Sequence, residues 1–91
     1  MNNVVIYLTP YCPYCVRAKM LLDKKEVPYT ELRVDLDNDL LEEMYQRSKK
    51  FTVPQIFIGD THVGGCDEMF LLETDNKLDL LLFPNESDNN Q

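Results

Sequence analysis

The spacing of apolar residues changes period several times along the chain, and each change predicts an element. "VVIYL" (Val4 to Leu8) is an unbroken β-branched and aromatic run, the pattern of a buried strand, and Pro10 ends it. From Pro13 the period becomes helical: Ala18, Leu21 and Leu22 recur at i, i+3 and i+4, with Arg17, Asp23 and Lys24 elsewhere on the turn. Pro28 is expected to stop this helix, and "YTELRV" alternates as a second strand. Asp37 or Asn38 can cap a second helix that gathers Leu40, Leu41, Met44 and Tyr45 on one face. "QIFIGDTHV" reads as a hairpin, with Ile56 to Ile58 apolar, a two-residue turn at Gly59-Asp60, and Thr61 to Val63 returning. Gly64-Gly65 breaks the pattern. "CDEMFLLE" and "LDLLLF" follow as short helices, the second begun near Asp75 or Asn76. The predicted core is Val4 to Leu8, Ile56 to Ile58 and Leu78 to Leu82.

The order is therefore β-α-β-α-β-β-α-α. A helix joins the first two strands, so they should lie parallel with a right-handed crossover. This is a small α/β sandwich, one domain over residues 1–83, followed by a polar tail, 84–91, expected to fray. Asn85-Glu86-Ser87 has the spacing of a glycosylation acceptor, a chance match unless the chain is secreted.

Composition narrows the function. Sixteen acidic residues against nine basic give a net charge of −7, which argues against a nucleic-acid partner, since such proteins present a basic face. The basic residues cluster at Arg17, Lys19, Lys24 and Lys25 and again at Arg47, Lys49 and Lys50, where they solvate helix faces or guide a small anion. No apolar run approaches the ~20 residues of a membrane span. "MNNVVIYLTP" lacks a signal peptide's basic and apolar stretches, so a cytoplasmic chain is expected. In that reducing compartment, paired cysteines are catalytic or metal-binding rather than structural.

Cys12 and Cys15 are such a pair, in "TPYCPYCVRAK". With Cys12 at the helix N-cap, Pro13 takes the first helical position, where its missing N–H costs nothing. The free N–H groups of Tyr14 and Cys15 then point toward the Cys12 sulfur and favour a thiolate there. The helix dipole alone supplies about 0.3–1 kcal/mol, less than one pKa unit at about 1.4 kcal/mol, so direct hydrogen bonds must do most of the work. Cys15, one turn inside, should be more buried and less acidic. One exposed attacker and one buried resolver is what disulfide exchange requires. CxxC spacing also serves metals, and His62 with Cys66 would complete a tetrahedral zinc set with Cys12 and Cys15. Against it stand a strand-to-helix setting with proline inside the pair, and a core that has less need of a metal.

"CPYC" after a first strand, "TVPQIFI" from Thr52 to Ile58, and "GGCDE" from Gly64 to Glu68 together resemble the dithiol glutaredoxins, in register from about Val4 to Leu82. The resemblance implies a thioredoxin-like three-layer sandwich, a four-stranded mixed sheet flanked by helices. It also implies a monomer that reduces protein disulfides and glutathione-mixed disulfides, with glutathione as the reducing co-substrate and no metal. By position, Cys12 would be the nucleophile and Cys15 the resolving thiol. Tyr14, Thr52, Val53, Pro54, Gly65, Cys66 and Asp67 would hold glutathione. Pro54 would follow a cis bond, Val53 would pair strand-like with the γ-glutamyl arm, and Gly65, Cys66 and Asp67 would take its amine and carboxylate. Asp67 could equally be no more than a helix N-cap. One departure stands out: many members carry lysine three residues before the first cysteine, and this chain has Thr9, with Lys49 or Lys50 as a substitute charge. Within the same family an iron–sulfur scaffold built on Cys12 is an alternative, which Pro13 disfavours.

Overall fold

The computed structural model describes residues 1–84. The predicted tail and its glycosylation spacing at Asn85 therefore lie outside the described residues, apart from Pro84. Eight elements follow the predicted order: β1 Val4–Leu8, α1 Pro13–Lys24, β2 Thr30–Arg33, α2 Asn38–Ser48, β3 Gln55–Ile58, β4 Thr61–Gly64, α3 Cys66–Thr74 and α4 Leu78–Leu82. The four strands form one mixed sheet in the order β2-β1-β3-β4. β1 and β2 are parallel, while β3 pairs antiparallel with both β1 and β4.

Alternation along β1 divides the interior into two layers. Val4, Ile6 and Leu8 pack with Cys15, Ala18 and Leu22 of α1, Cys66 and Met69 of α3, and Leu78 and Leu82 of α4. Tyr7 points the other way, packing with Phe57 of β3 and Met44 of α2. The sheet is thus covered on one face by α1, α3 and α4 and on the other by α2, the expected three-layer sandwich.

The helix ends differ from expectation in instructive ways. Pro28 does not terminate α1. The helix closes at Lys24 because Glu26, at φ +58, donates its N–H to Asp23 O while Val27 donates to Leu22 O. This paired closure satisfies the last carbonyls and needs one residue in the left-handed region, here a glutamate where glycine is usual. α3 ends in the same way, with Asn76 at φ +60 and Lys77 N–H on Leu72 O. That closure uses up Asp75 and Asn76, so α4 begins later than predicted, at Leu78, without a side-chain cap. Asp37, not Asn38, caps α2: its Oδ1 accepts from Asp39 N–H at 2.9 Å and Leu40 N–H at 3.4 Å. The predicted core holds at Leu78 and Leu82, but Leu80 is exposed, because a single helical turn buries only one side.

β4 also runs one residue further than predicted. Phe57 faces His62 but Ile56 faces Gly64, so Val63 is an extra residue, a bulge that twists the strand just before α3. Gly64 closes β4 at φ +112, a conformation that only glycine adopts without strain.

Candidate active site

Cys12 sits where the parallel pair β1–β2 hands over to α1. It is the N-cap, at φ −85 and ψ 119, with Pro13 at the first helical position as expected. The sulfur makes no hydrogen bond with the α1 amides. It instead donates its S–H to Val53 O at 3.7 Å, forty-one residues away in sequence. A thiol is both a weak donor and a weak acceptor, and here its S–H is met by a carbonyl rather than its sulfur by an amide. All three cysteines are free thiols.

The two cysteines of the pair have unlike surroundings. Cys12 is half-buried and reaches the surface, while Cys15 is 1% exposed. Burial pushes the Cys15 thiol up to about 12, and the nearby Cys12 adds to this, while a backbone hydrogen bond involving Thr9 offsets part of it. Burial likewise pushes the Cys66 thiol up. The folded chain therefore keeps the Cys15 proton in a pH range where the unfolded chain, ionising near 9.0, has lost it. Stability should then fall as pH rises from about 9 toward 12. Urea unfolding under reducing conditions at pH 8 and pH 10.5 checks this: wild type should lose more stability between the two than Cys15→Ala, and equal losses would refute it.

A surface groove of about 140 Å³ runs beside Cys12, lined by Tyr14, Lys50, Thr52, Val53, Pro54, Gln55, Gly65, Cys66, Asp67 and Glu68. All seven residues named from the glutaredoxin resemblance as glutathione contacts are in it. The Val53–Pro54 peptide is cis. Gly65 is the N-cap of α3 and brings no side chain to the first-turn N–H groups. Asp67 is therefore a first-turn residue of α3 rather than its cap. Cys66, the first residue of α3, is 3% exposed and packs with Cys15 in the core.

Three lining residues are not singled out by the sequence pattern or are not told apart by it. Gln55 is 2% exposed, and its signal was a polar residue opening an otherwise apolar strand. Glu68 accepts the Gly65 N–H at 2.7 Å, and its signal was the glutamate three residues after a helix cap. Lys50 lines the groove, whereas Lys49 caps α2 in the left-handed region at φ +63.

The zinc set does not assemble. Cys15 and Cys66 lie in the layer under α1 and α3, whereas the His62 ring stacks on Phe57, which belongs to the α2 layer. Among the described residues, no three His, Cys, Asp or Glu side chains converge on one point.

The family model for glutaredoxin matches residues 4–63, about two-thirds of the chain. The chain belongs to the glutaredoxin family. It is 51% identical over 82 residues to a glutaredoxin of Pseudomonas aeruginosa, spanning 90% of this chain and 98% of that protein. The solution structure of glutaredoxin from Brucella melitensis superposes with a TM-score of 0.79 at 50% identity, covering 90% of this chain and 89% of that one. A buckwheat glutaredoxin–glutathione complex superposes with a TM-score of 0.81 at 34% identity, over 89% of this chain and 76% of that one. The fold is thioredoxin-like, and the activity is that of a glutathione-dependent thiol–disulfide oxidoreductase. Among the described residues no helix is long and apolar enough to cross a membrane.

Proposed function

We propose that Cys12 is the attacking sulfur and Cys15 the resolving one, and that the adjoining groove binds the glutathionyl moiety of mixed disulfides. The observation that carries this is the Cys12 sulfur lying against Val53 O, at the side of a groove that leads to the start of α3. Ionisation removes the S–H that Val53 O accepts, and the sulfur then turns to the uncapped N–H groups of Tyr14 and Cys15.

The thiolate attacks one sulfur of the substrate disulfide, forming a Cys12 mixed disulfide and releasing the other half as a thiolate. For a protein disulfide, Cys15 then loses its proton and attacks the Cys12 sulfur. The substrate leaves reduced and a Cys12–Cys15 disulfide remains. Two glutathiones supply the two electrons: the first opens this disulfide to glutathionylated Cys12, and the second removes that glutathione as glutathione disulfide. A glutathione-mixed disulfide needs only Cys12, because its transfer leaves glutathionylated Cys12 directly.

In the groove, the Val53 backbone pairs with the γ-glutamyl arm in the manner of an added strand. Beside Gly65, whose N–H is held by Glu68, the free first-turn N–H groups of Cys66 and Asp67 take the γ-glutamyl carboxylate, and the Asp67 carboxylate takes the amine. Tyr14, Thr52 and Pro54 form the walls. Lys50 then replaces the charge that Thr9 lacks, facing the glycine carboxylate. An exposed ion pair of this kind contributes about 0.2–1 kcal/mol, so Lys50→Ala should raise KM for a glutathionylated peptide by roughly two- to fivefold with kcat nearly unchanged. The effect should shrink in 0.5 M salt. If Lys50→Ala leaves KM unaltered at low salt, Lys50 has no part in binding.

A further inference from the structure

His62 lies outside the groove, yet it is joined to it through one buried side chain. Its Nε2 is 2.7 Å from Gln55 Oε1. Gln55 Nε2 in turn lies 3.0 Å from Thr52 O and 3.1 Å from Thr52 Oγ1. A carbonyl oxygen only accepts, so the Gln55 NH₂ must face Thr52 and its oxygen must face His62. His62 Nε2 is therefore the donor. His62 is solvent-exposed, but partial desolvation of its ring, together with the positive charges of Lys50 and Arg47, pushes its protonation down, with Glu68 opposing. The neutral ring has a single N–H, and this contact uses it.

The arrangement depends on the bulge in β4. Because Val63 is the extra residue, His62 stays opposite Phe57 and stacks on it at 4.7 Å, on the same face of β3 as Gln55 two residues earlier. Arg47 lies 3.9 Å from the centre of the same Phe57 ring, which crowds the alternatives open to the imidazole. At the other end of the relay, Thr52 O belongs to the peptide preceding Val53, the residue whose carbonyl accepts the Cys12 thiol.

We propose that His62 is a positioning residue for glutathione: by donating to Gln55 it locks the buried amide that holds the Thr52–Val53 backbone in its binding geometry. The proposal rests on the reading of the groove as the glutathione site. Without the His62 N–H, Gln55 Oε1 is left buried without a donor, and Gln55 must either turn away from Thr52 or remain unsatisfied. The loop then samples geometries that bind glutathione poorly, while the Cys12 sulfur and its helix are untouched.

The test uses the full chain with His62→Phe, which keeps a ring on Phe57 and removes the N–H, and His62→Gln, which restores a donor at similar reach. Two substrates are compared, the same peptide as a mixed disulfide with glutathione or with 2-mercaptoethanol. His62→Phe should raise KM for the glutathionylated peptide about five- to tenfold, with kcat within about twofold of wild type. Its rate on the 2-mercaptoethanol adduct should be unchanged, and His62→Gln should recover most of the KM. An unaltered KM in His62→Phe overturns the proposal. So does an equal loss on both substrates, which marks a general structural defect, and so does His62→Gln behaving like His62→Phe. If wild type itself shows no preference for the glutathione adduct, the groove reading fails and takes the proposal with it. Should His62→Phe not fold, His62→Leu decides by the same criteria.

Discussion

Cys12→Ser is expected to lose all turnover, on protein disulfides and glutathionylated peptides alike, by on the order of 10³-fold or more. A serine hydroxyl at this helix start is not ionised near neutral pH, and Cys15 cannot stand in for it: it is 1% exposed and its thiol is pushed up to about 12. Cys15→Ser should behave quite differently. Transfer of glutathione from a mixed disulfide uses the Cys12 sulfur alone, so that activity should stay within a few fold of wild type. Reduction of a protein disulfide should instead stall at the Cys12 mixed disulfide. Mass spectrometry of Cys15→Ser after one turnover should find substrate attached to Cys12. Turnover retained in Cys12→Ser, or equal loss of both reactions in Cys15→Ser, would overturn the division of roles.

A large loss of stability is also expected from Gly64→Ala. Gly64 sits at φ +112, and a Cβ built there meets Glu68 Oε1 at 2.9 Å, Cγ at 3.1 Å and Cβ at 3.2 Å. Glu68 cannot retreat freely, because its carboxylate holds the Gly65 N–H at the start of α3. The variant therefore combines backbone strain of about 1–3 kcal/mol with displacement of a helix-capping group of about 1 kcal/mol. For a domain of this size, each kcal/mol lowers Tm by roughly 4–8 °C, so the roughly 2–4 kcal/mol lost here should lower Tm by about 8–30 °C in calorimetry. Gly65→Ala is the control. Its φ of −96 suits any residue, and its Cβ would sit 3.2 Å from Glu68 Oε1 and 3.4 Å from Pro54 O. Without the positive-φ strain it should cost less stability than Gly64→Ala, while its Cβ crowds the groove and raises KM for glutathionylated substrate. A Gly64→Ala variant as stable as wild type would show that β4 and α3 can shift to absorb the strain.

How far the site was legible in the sequence depends on the residue. Cys12 and Cys15 were recognisable because strand, proline and helix signals surround them within a dozen positions. The Thr52–Pro54 and Gly65–Asp67 segments were recognisable only through likeness to the glutaredoxins, since a proline before a strand or a glycine pair after one is ordinary loop chemistry. Gln55 and His62 were not legible as a pair. Six residues, a turn among them, separate the two, and only the register of β3 on β4, bulge included, brings their side chains together. The end of α1, and the start of α4 behind the closure of α3, differ from the sequence pattern for a related reason. The closures of α1 and α3 are main-chain hydrogen bonds through Glu26 and Asn76, residues that carry no strong terminator signal.

Local patterning alone determined which segments are strands and which are helices, their order, and the placing of a cysteine at the mouth of a helix. These are properties of neighbours within a few positions, and apolar period and backbone chemistry encode them directly. The tertiary structure decided what the Cys12 sulfur touches, which cysteine is shielded, and which face of the sheet receives His62. Those outcomes follow from the strand order β2-β1-β3-β4, which brings the loop before β3 beside the start of α1. Contacts over such separations depend on how layers pack, and no short window of sequence contains that information.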